Sequence, residues 1–133
     1  MADGSEVPLL LLRGFLLVPI QTELHDQAAQ ALQRRILEKL EQTKAEGLLI
    51  DVTALTVVDS FLGRLLRDTA VMARMMGALT VLVGLRPAVA ITLSELGLDL
   101  PGVHTDLDLE RGLAWLEEQR RRKQGLHSSG GSA

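Results

Sequence analysis

Three short, nearly continuous apolar runs, at residues 15–20, 48–52 and 79–83, constrain this chain more than any other feature. Runs of this length suit strands buried on both faces, as in a parallel sheet covered by helices. Helical spacing follows each of them. After the first, Asp26 is placed to cap a helix that sets Ala29, Leu32, Ile36 and Leu40 on one face. Glu38, Lys39, Glu41 and Lys44 cover its outer side, and Gly47 is placed to end it in a left-handed turn. After the second run, Asp59 and Ser60 open a helix with the stripe Leu62, Leu65, Leu66, Thr69, Met72 and Met76, closed by Gly77. After the third, Pro87 fits the first position of a helix that stops at Gly97.

Weaker signals complete the pattern. Residues 9–12 form an apolar strand joined to the first run by a tight turn at Arg13 and Gly14. A short strand near residues 103–104 precedes a last helix that starts near 106–108 and turns Leu109, Leu113 and Leu116 inward. The order is β-β-α-β-α-β-α-β-α. It predicts an α/β fold with a mixed, mostly parallel sheet packed against helices. A length of 133 residues favours one domain. It is expected at 7–121, between a flexible start at 1–6 and a flexible tail at 122–133, basic at first and then rich in Gly and Ser.

Composition removes several functions. No cysteine is present, so thiolate nucleophiles, disulfides and cysteine metal sites are excluded. His25, His104 and His127 lie far apart, without the spacing of a metal site, and read as surface histidines. The aromatic side chains are two Phe and one Trp, too few for a base-stacking surface, and the net charge is −3. No nucleic-acid partner is expected. The basic cluster Arg120, Arg121, Arg122 and Lys123 reads as a solvated helix end. The apolar stretch 7–20 is too short to span a membrane and is broken by Arg13, Gly14 and Pro19. Asp3 and Glu6 ahead of it argue against a signal peptide. The expected location is the cytoplasm.

Little remains for catalysis. No G-x-S-x-G elbow, P-loop or G-x-G-x-x-G occurs, and no nucleophile–base pair is visible. Asp51 and Asp59 invite comparison with a phospho-aspartate site. However, no acidic pair follows an early strand, and Arg86-Pro87 stands where a lysine would be needed. An enzyme is therefore not expected, and neither is a cofactor or a metal. Asp59 and Ser60 leave two readings open. Both are good helix caps, because their oxygens accept from unpaired backbone N–H groups. Yet Gly63, three residues after Ser60, breaks the capping box and costs about 1 kcal/mol in a helix relative to Ala. A glycine there could instead let a partner's backbone come close.

At these residues the chain resembles the STAS domains of sulfate transporters and anti-sigma factor antagonists. The resemblance rests on Leu-Leu-Ile-Asp-Val-Thr-Ala-Leu-Thr-Val-Val-Asp-Ser-Phe, ending at Phe61, and on the segment 76–97; it covers about residues 7–118. Asp59-Ser60-Phe61, with Gly84-x-x-Pro-Ala-Val-Ala-x-Thr-Leu, is similar to the small RsbS-type antagonists of the bacterial stressosome, rather than to co-antagonists carrying an N-terminal sensor domain. The resemblance implies a STAS fold and a non-catalytic scaffold. Such a scaffold assembles with RsbR-type paralogues and sequesters an RsbT-type switch kinase. It also implies phosphorylation of Ser60 by that kinase, release of the kinase, and resetting by a PP2C-type phosphatase. Thr92 matches a second phosphorylated threonine of the paralogues. Asp59, Gly63, Arg64 and Arg67 would form the partner surface, with Arg64 one turn on from Ser60. Two rival readings are an antagonist that binds an anti-sigma kinase directly, and a STAS module that holds a nucleotide or anion at residues 84–87.

Overall fold

The computed structural model describes residues 7–97, 100 and 102–132, with side chains of the last helix described to residue 125. The expected flexible start at 1–6 lies outside the described residues. Five strands and four helices follow the expected order: β1 (Leu10–Leu12), β2 (Phe15–Pro19), α1 (Asp26–Thr43), β3 (Gly47–Asp51), α2 (Ser60–Met75), β4 (Leu79–Val83), α3 (Pro87–Glu95), β5 (Val103–Asp106) and α4 (Leu109–Ser132). α4 thus extends over much of the stretch from 122 onward that the composition marks as a tail.

The strands lie in the order β1-β2-β3-β4-β5. β1 pairs antiparallel with β2, and every later neighbour is parallel. Arg13 and Gly14, at φ 55° and 86°, make the two-residue hairpin between β1 and β2. Because spatial order follows chain order, successive right-handed crossovers place α1, α2 and α3 on one face. There Leu32, Ile36, Leu66 and Val89 pack with Leu48, Ile50 and Leu82 of the sheet. α4 covers the opposite face, where Leu113 and Leu116 meet Phe15, Leu49, Val81 and Val83. Alternate residues of β3 and β4 therefore enter different layers, which explains why these strands read as unbroken apolar runs.

Local details depart from the sequence reading. His25, not Asp26, caps α1: its Nδ1 accepts from the backbone N–H of Ala28 at 3.2 Å. α1 ends at Thr43, and Lys44 takes the left-handed conformation, with φ 56°. Gly47 lies inside β3, where a Cβ would fall 2.7 Å from Phe15 and 2.9 Å from Leu116. It serves close packing between strand and α4, not helix termination. In α2, Ala70 and Ala73 take the buried positions, and Met76 caps the helix while exposed. Small side chains let the helix axis approach the sheet, so the large methionine is left outside. His104 is half-buried rather than on the surface, stacked on Trp115 at 4.1 Å and 3.1 Å from a carboxylate oxygen of Asp106.

Candidate functional site

All four parallel strands end at one edge of the sheet, and the loops leaving β3 and β4 meet there. The β3–α2 loop is pinned in three ways. The Asp51 carboxylate accepts from the backbone N–H of Thr53 at 2.9 Å and from its hydroxyl at 2.6 Å, forming an Asx turn. Leu55 and Val58 are buried, while Thr56 and Val57 between them stay exposed. From the neighbouring loop, the Arg86 guanidinium donates to the Thr53 carbonyl at 2.9 Å. Gly84, at φ 77°, brings the two loops together: a Cβ there would sit 1.9 Å from the Thr53 hydroxyl oxygen.

This anchoring delivers the chain to α2 in one register. Asp59 has extended backbone (φ −83°, ψ 175°), and its side chain accepts from the backbone N–H of Leu62 at 2.8 Å. Asp59 is therefore the cap, and Ser60 is the first helical residue. The ambiguity left by two adjacent cap-forming residues is resolved by backbone geometry. Ser60 is half-buried, and its hydroxyl makes no hydrogen bond among the described residues. As the first residue of α2, Ser60 stands at the helix N-terminus, where negative charge is favoured.

Of the expected surface residues, Asp59, Ser60 and Arg64 share this end of α2. Arg64 is exposed, one turn on, and makes no ion pair among the described residues. Arg67 lies nearly two turns from Ser60 and contacts the Asp68 carboxylate at 3.4 Å. Gly63 is buried, and its N–H donates to the Asp59 carbonyl at 3.0 Å. Thr92 is exposed on α3, its hydroxyl donating to the Ala88 carbonyl at 3.0 Å. In the 84–87 loop, Thr53 fills the space beside Gly84, the Gly84 N–H donates to the Asp106 carbonyl at 3.2 Å, and Pro87 has no N–H. No cluster of three or more metal-ligating side chains occurs among the described residues.

The Thr53–Arg86 clamp was not anticipated. Gly84 between a strand and Arg86-Pro87 was its one local signal. Asp59→Ala is expected to cost about 1 kcal/mol by removing the cap. Denaturant unfolding followed through the single tryptophan, Trp115, measures this. A loss under a few tenths of a kcal/mol would mean that Ser60 can take over the capping.

Comparisons agree on one family. A STAS domain model matches residues 9–110. A serine-to-glutamate variant of RsbS from Moorella thermoacetica is 40% identical, with TM-score 0.80, covering 88% of this chain and 99% of that one. A chain in a structure of the stressosome, described as a signal integration and transduction hub, is 41% identical, with TM-score 0.76, covering 86% and 99%. The RsbT co-antagonist protein RsbRA of Bacillus subtilis is 28% identical over 106 residues, 80% of this chain but 39% of its own length. The chain thus spans about two fifths of that relative.

Proposed function

The chain belongs to the STAS domain family, and on that premise we propose that it is a non-catalytic stressosome scaffold and negative regulator of anti-sigma antagonist signalling. It assembles with RsbR-type paralogues and sequesters an RsbT-type switch kinase. Phosphorylation of Ser60 releases the kinase, and a PP2C-type phosphatase resets the site. The observation that carries this reading is the division of labour at the start of α2. Asp59 does the capping, so the Ser60 hydroxyl makes no hydrogen bond among the described residues. A kinase supplies the catalytic base and magnesium, so its substrate need only present such a group.

Phosphate would add about −1.5 to −2 charges at Ser60. The helix N-terminus favours that charge and Asp59 opposes it. Arg64, which makes no ion pair among the described residues, is the cation placed to meet it. These opposing effects leave the fold unchanged and put the message on the partner surface. Thr92, exposed on α3, is a second, weaker candidate for modification. Among the described residues no helix is long and apolar enough to cross a membrane. Action in the cytoplasm is proposed with the rest.

The test is incubation of the chain with an RsbT-type kinase and ATP, followed by mass spectrometry. A single phosphate on Ser60 is expected. Phosphate elsewhere with Ser60 untouched would overturn the assignment. Mixing with an RsbR-type protein should give a particle in the megadalton range. A small complex would favour direct antagonism of an anti-sigma kinase instead.

A further inference from the structure

At the end of the sheet opposite Ser60, a groove of about 430 Å³ opens between the last turn of α2, the starts of β3 and β4, and α4. Small-molecule sites are usually about 300 to 1,000 Å³ in volume. The floor is closed by packing: Phe15 and Leu116 are buried there, and Gly47 leaves no room for a Cβ against either. Leu79 is half-buried and gives the groove apolar surface. The mouth is open beside Gly77, where a Cβ would meet nothing within 4 Å.

Basic side chains line the walls, and some are already answered. Lys123 lies 3.8 Å from Glu46, and Arg122 lies 3.2 Å from Glu118. Arg74 is exposed and has no carboxylate partner among the described residues. Arg120 has none either, yet it is held in place. Its guanidinium covers the Phe15 ring at 4.4 Å, and its Nη1 donates to the Arg13 carbonyl at 3.0 Å. Among the described residues its Nε and Nη2 make no hydrogen bond. Those two nitrogens form an edge that can grip a carboxylate by two parallel bonds. Because the side chain is already ordered, a ligand would lose little to fixing it. The carbonyls at this end of α2 offer an anion little opposition. Those of Met72, Ala73 and Arg74 accept from the N–H groups of Met76, Gly77 and Ala78.

We propose that this groove binds a small amphiphilic carboxylate of the medium-chain fatty-acid type. Arg120 and Arg74 take the head, and the apolar surface at Leu79 takes the tail. A bare anion would leave that surface unused, and a neutral apolar ligand would leave both charges unanswered. A protein partner needs about 800 Å² from each side, more than one such groove supplies. Arg74 lies about 21 Å along α2 from Ser60, so a ligand here leaves the start of α2 open.

The test is titration of the purified full chain with decanoate below its micelle-forming range, followed by proton–nitrogen correlation NMR, with no kinase present. Saturable shifts should centre on Gly77, Leu79 and Gln119, while Ser60 and Gly63 stay unmoved. Salt should weaken the binding. Acetate has the head alone and decanol the tail alone, so each should bind about tenfold more weakly or worse. Arg74→Gln and Arg120→Gln should each weaken decanoate binding about tenfold. Arg74→Gln alters only an exposed side chain, so it decides the matter should Arg120→Gln, which loses its contact with Phe15, fail to fold. No saturable binding, decanol binding as tightly as decanoate, shifts spread over the whole surface, or an Arg74→Gln chain that binds like wild type would each overturn the inference. So would binding of phosphatidylglycerol vesicles, or of a short peptide of alternating Leu and Asp, with free decanoate left unbound.

Discussion

Gly84→Ala is expected to lower the unfolding free energy by about 3 to 5 kcal/mol, from backbone strain at positive φ, overpacking and lost hydrogen bonds together. The added methyl would sit 1.9 Å from the Thr53 hydroxyl oxygen, 2.9 Å from its Cβ and 3.0 Å from its Cα. One of those atoms is backbone, so a side-chain rotation cannot relieve the contact. Thr53 is also held from both sides, by the Asp51 carboxylate at 2.6 and 2.9 Å and by Arg86 at 2.9 Å. Either this clamp opens or the β4–α3 loop moves. Denaturant unfolding with Trp115 as reporter gives the size of the effect. Pairing the change with Thr53→Ala removes the closest contact, and the double variant should recover about 1 kcal/mol of the loss. The rest remains, because the backbone contact and the φ of 77° remain. Hydrogen exchange should localise the early opening to residues 52–58, which carry the chain to Asp59 and Ser60. A loss under 1 kcal/mol would show that the two loops are not locked together.

How much of this was legible in the sequence depends on how far apart the interacting residues lie. The β4 strand matches its apolar run at 79–83, because burial on both faces leaves a continuous signal within a few residues. The helix faces were legible for the same reason where spacing alone decides them, as at Leu32, Ile36 and Leu40. Gly47 was misread because its reason for being glycine is Leu116, far along the chain and on the opposite layer. Capping failed at a finer scale. His25 and Asp26 stand side by side, as do Asp59 and Ser60, and each pair offers two acceptors within one residue. Only backbone dihedrals decide which of two such neighbours becomes the cap. In the proposed site, Ser60 stands out in the sequence because a short motif carries it. Its support does not, because Thr53 and Arg86 meet across a separation of 33 residues with no periodic pattern to mark them.

The variants at Ser60 separate effects on the fold from effects on the partner. Ser60→Ala removes a hydroxyl that makes no hydrogen bond among the described residues, and Asp59 still caps α2. Its stability should stay within about 0.5 kcal/mol of wild type, as for a surface change. Phosphate transfer from an RsbT-type kinase should nevertheless vanish, because no oxygen remains to accept it. This loss is all-or-none, unlike any change in the surrounding cap or clamp. Ser60→Glu sets a charge at the same position. Attraction to the helix N-terminus is worth about 0.3 to 1 kcal/mol, and repulsion from Asp59 offsets it, so the unfolding midpoint should barely move. Kinase binding should respond differently. Arg64 can meet that charge in the free chain, but burying it in a contact that supplies no further cation still costs energy, and each 1.4 kcal/mol weakens binding about tenfold. Titration calorimetry should therefore find tight binding for wild type and Ser60→Ala, and binding weaker by about tenfold or more for Ser60→Glu. If Ser60→Glu instead rearranged the fold and bound the kinase as tightly as wild type, the signal would run within this chain rather than across its surface. The free hydroxyl at the start of α2 would then be a bystander.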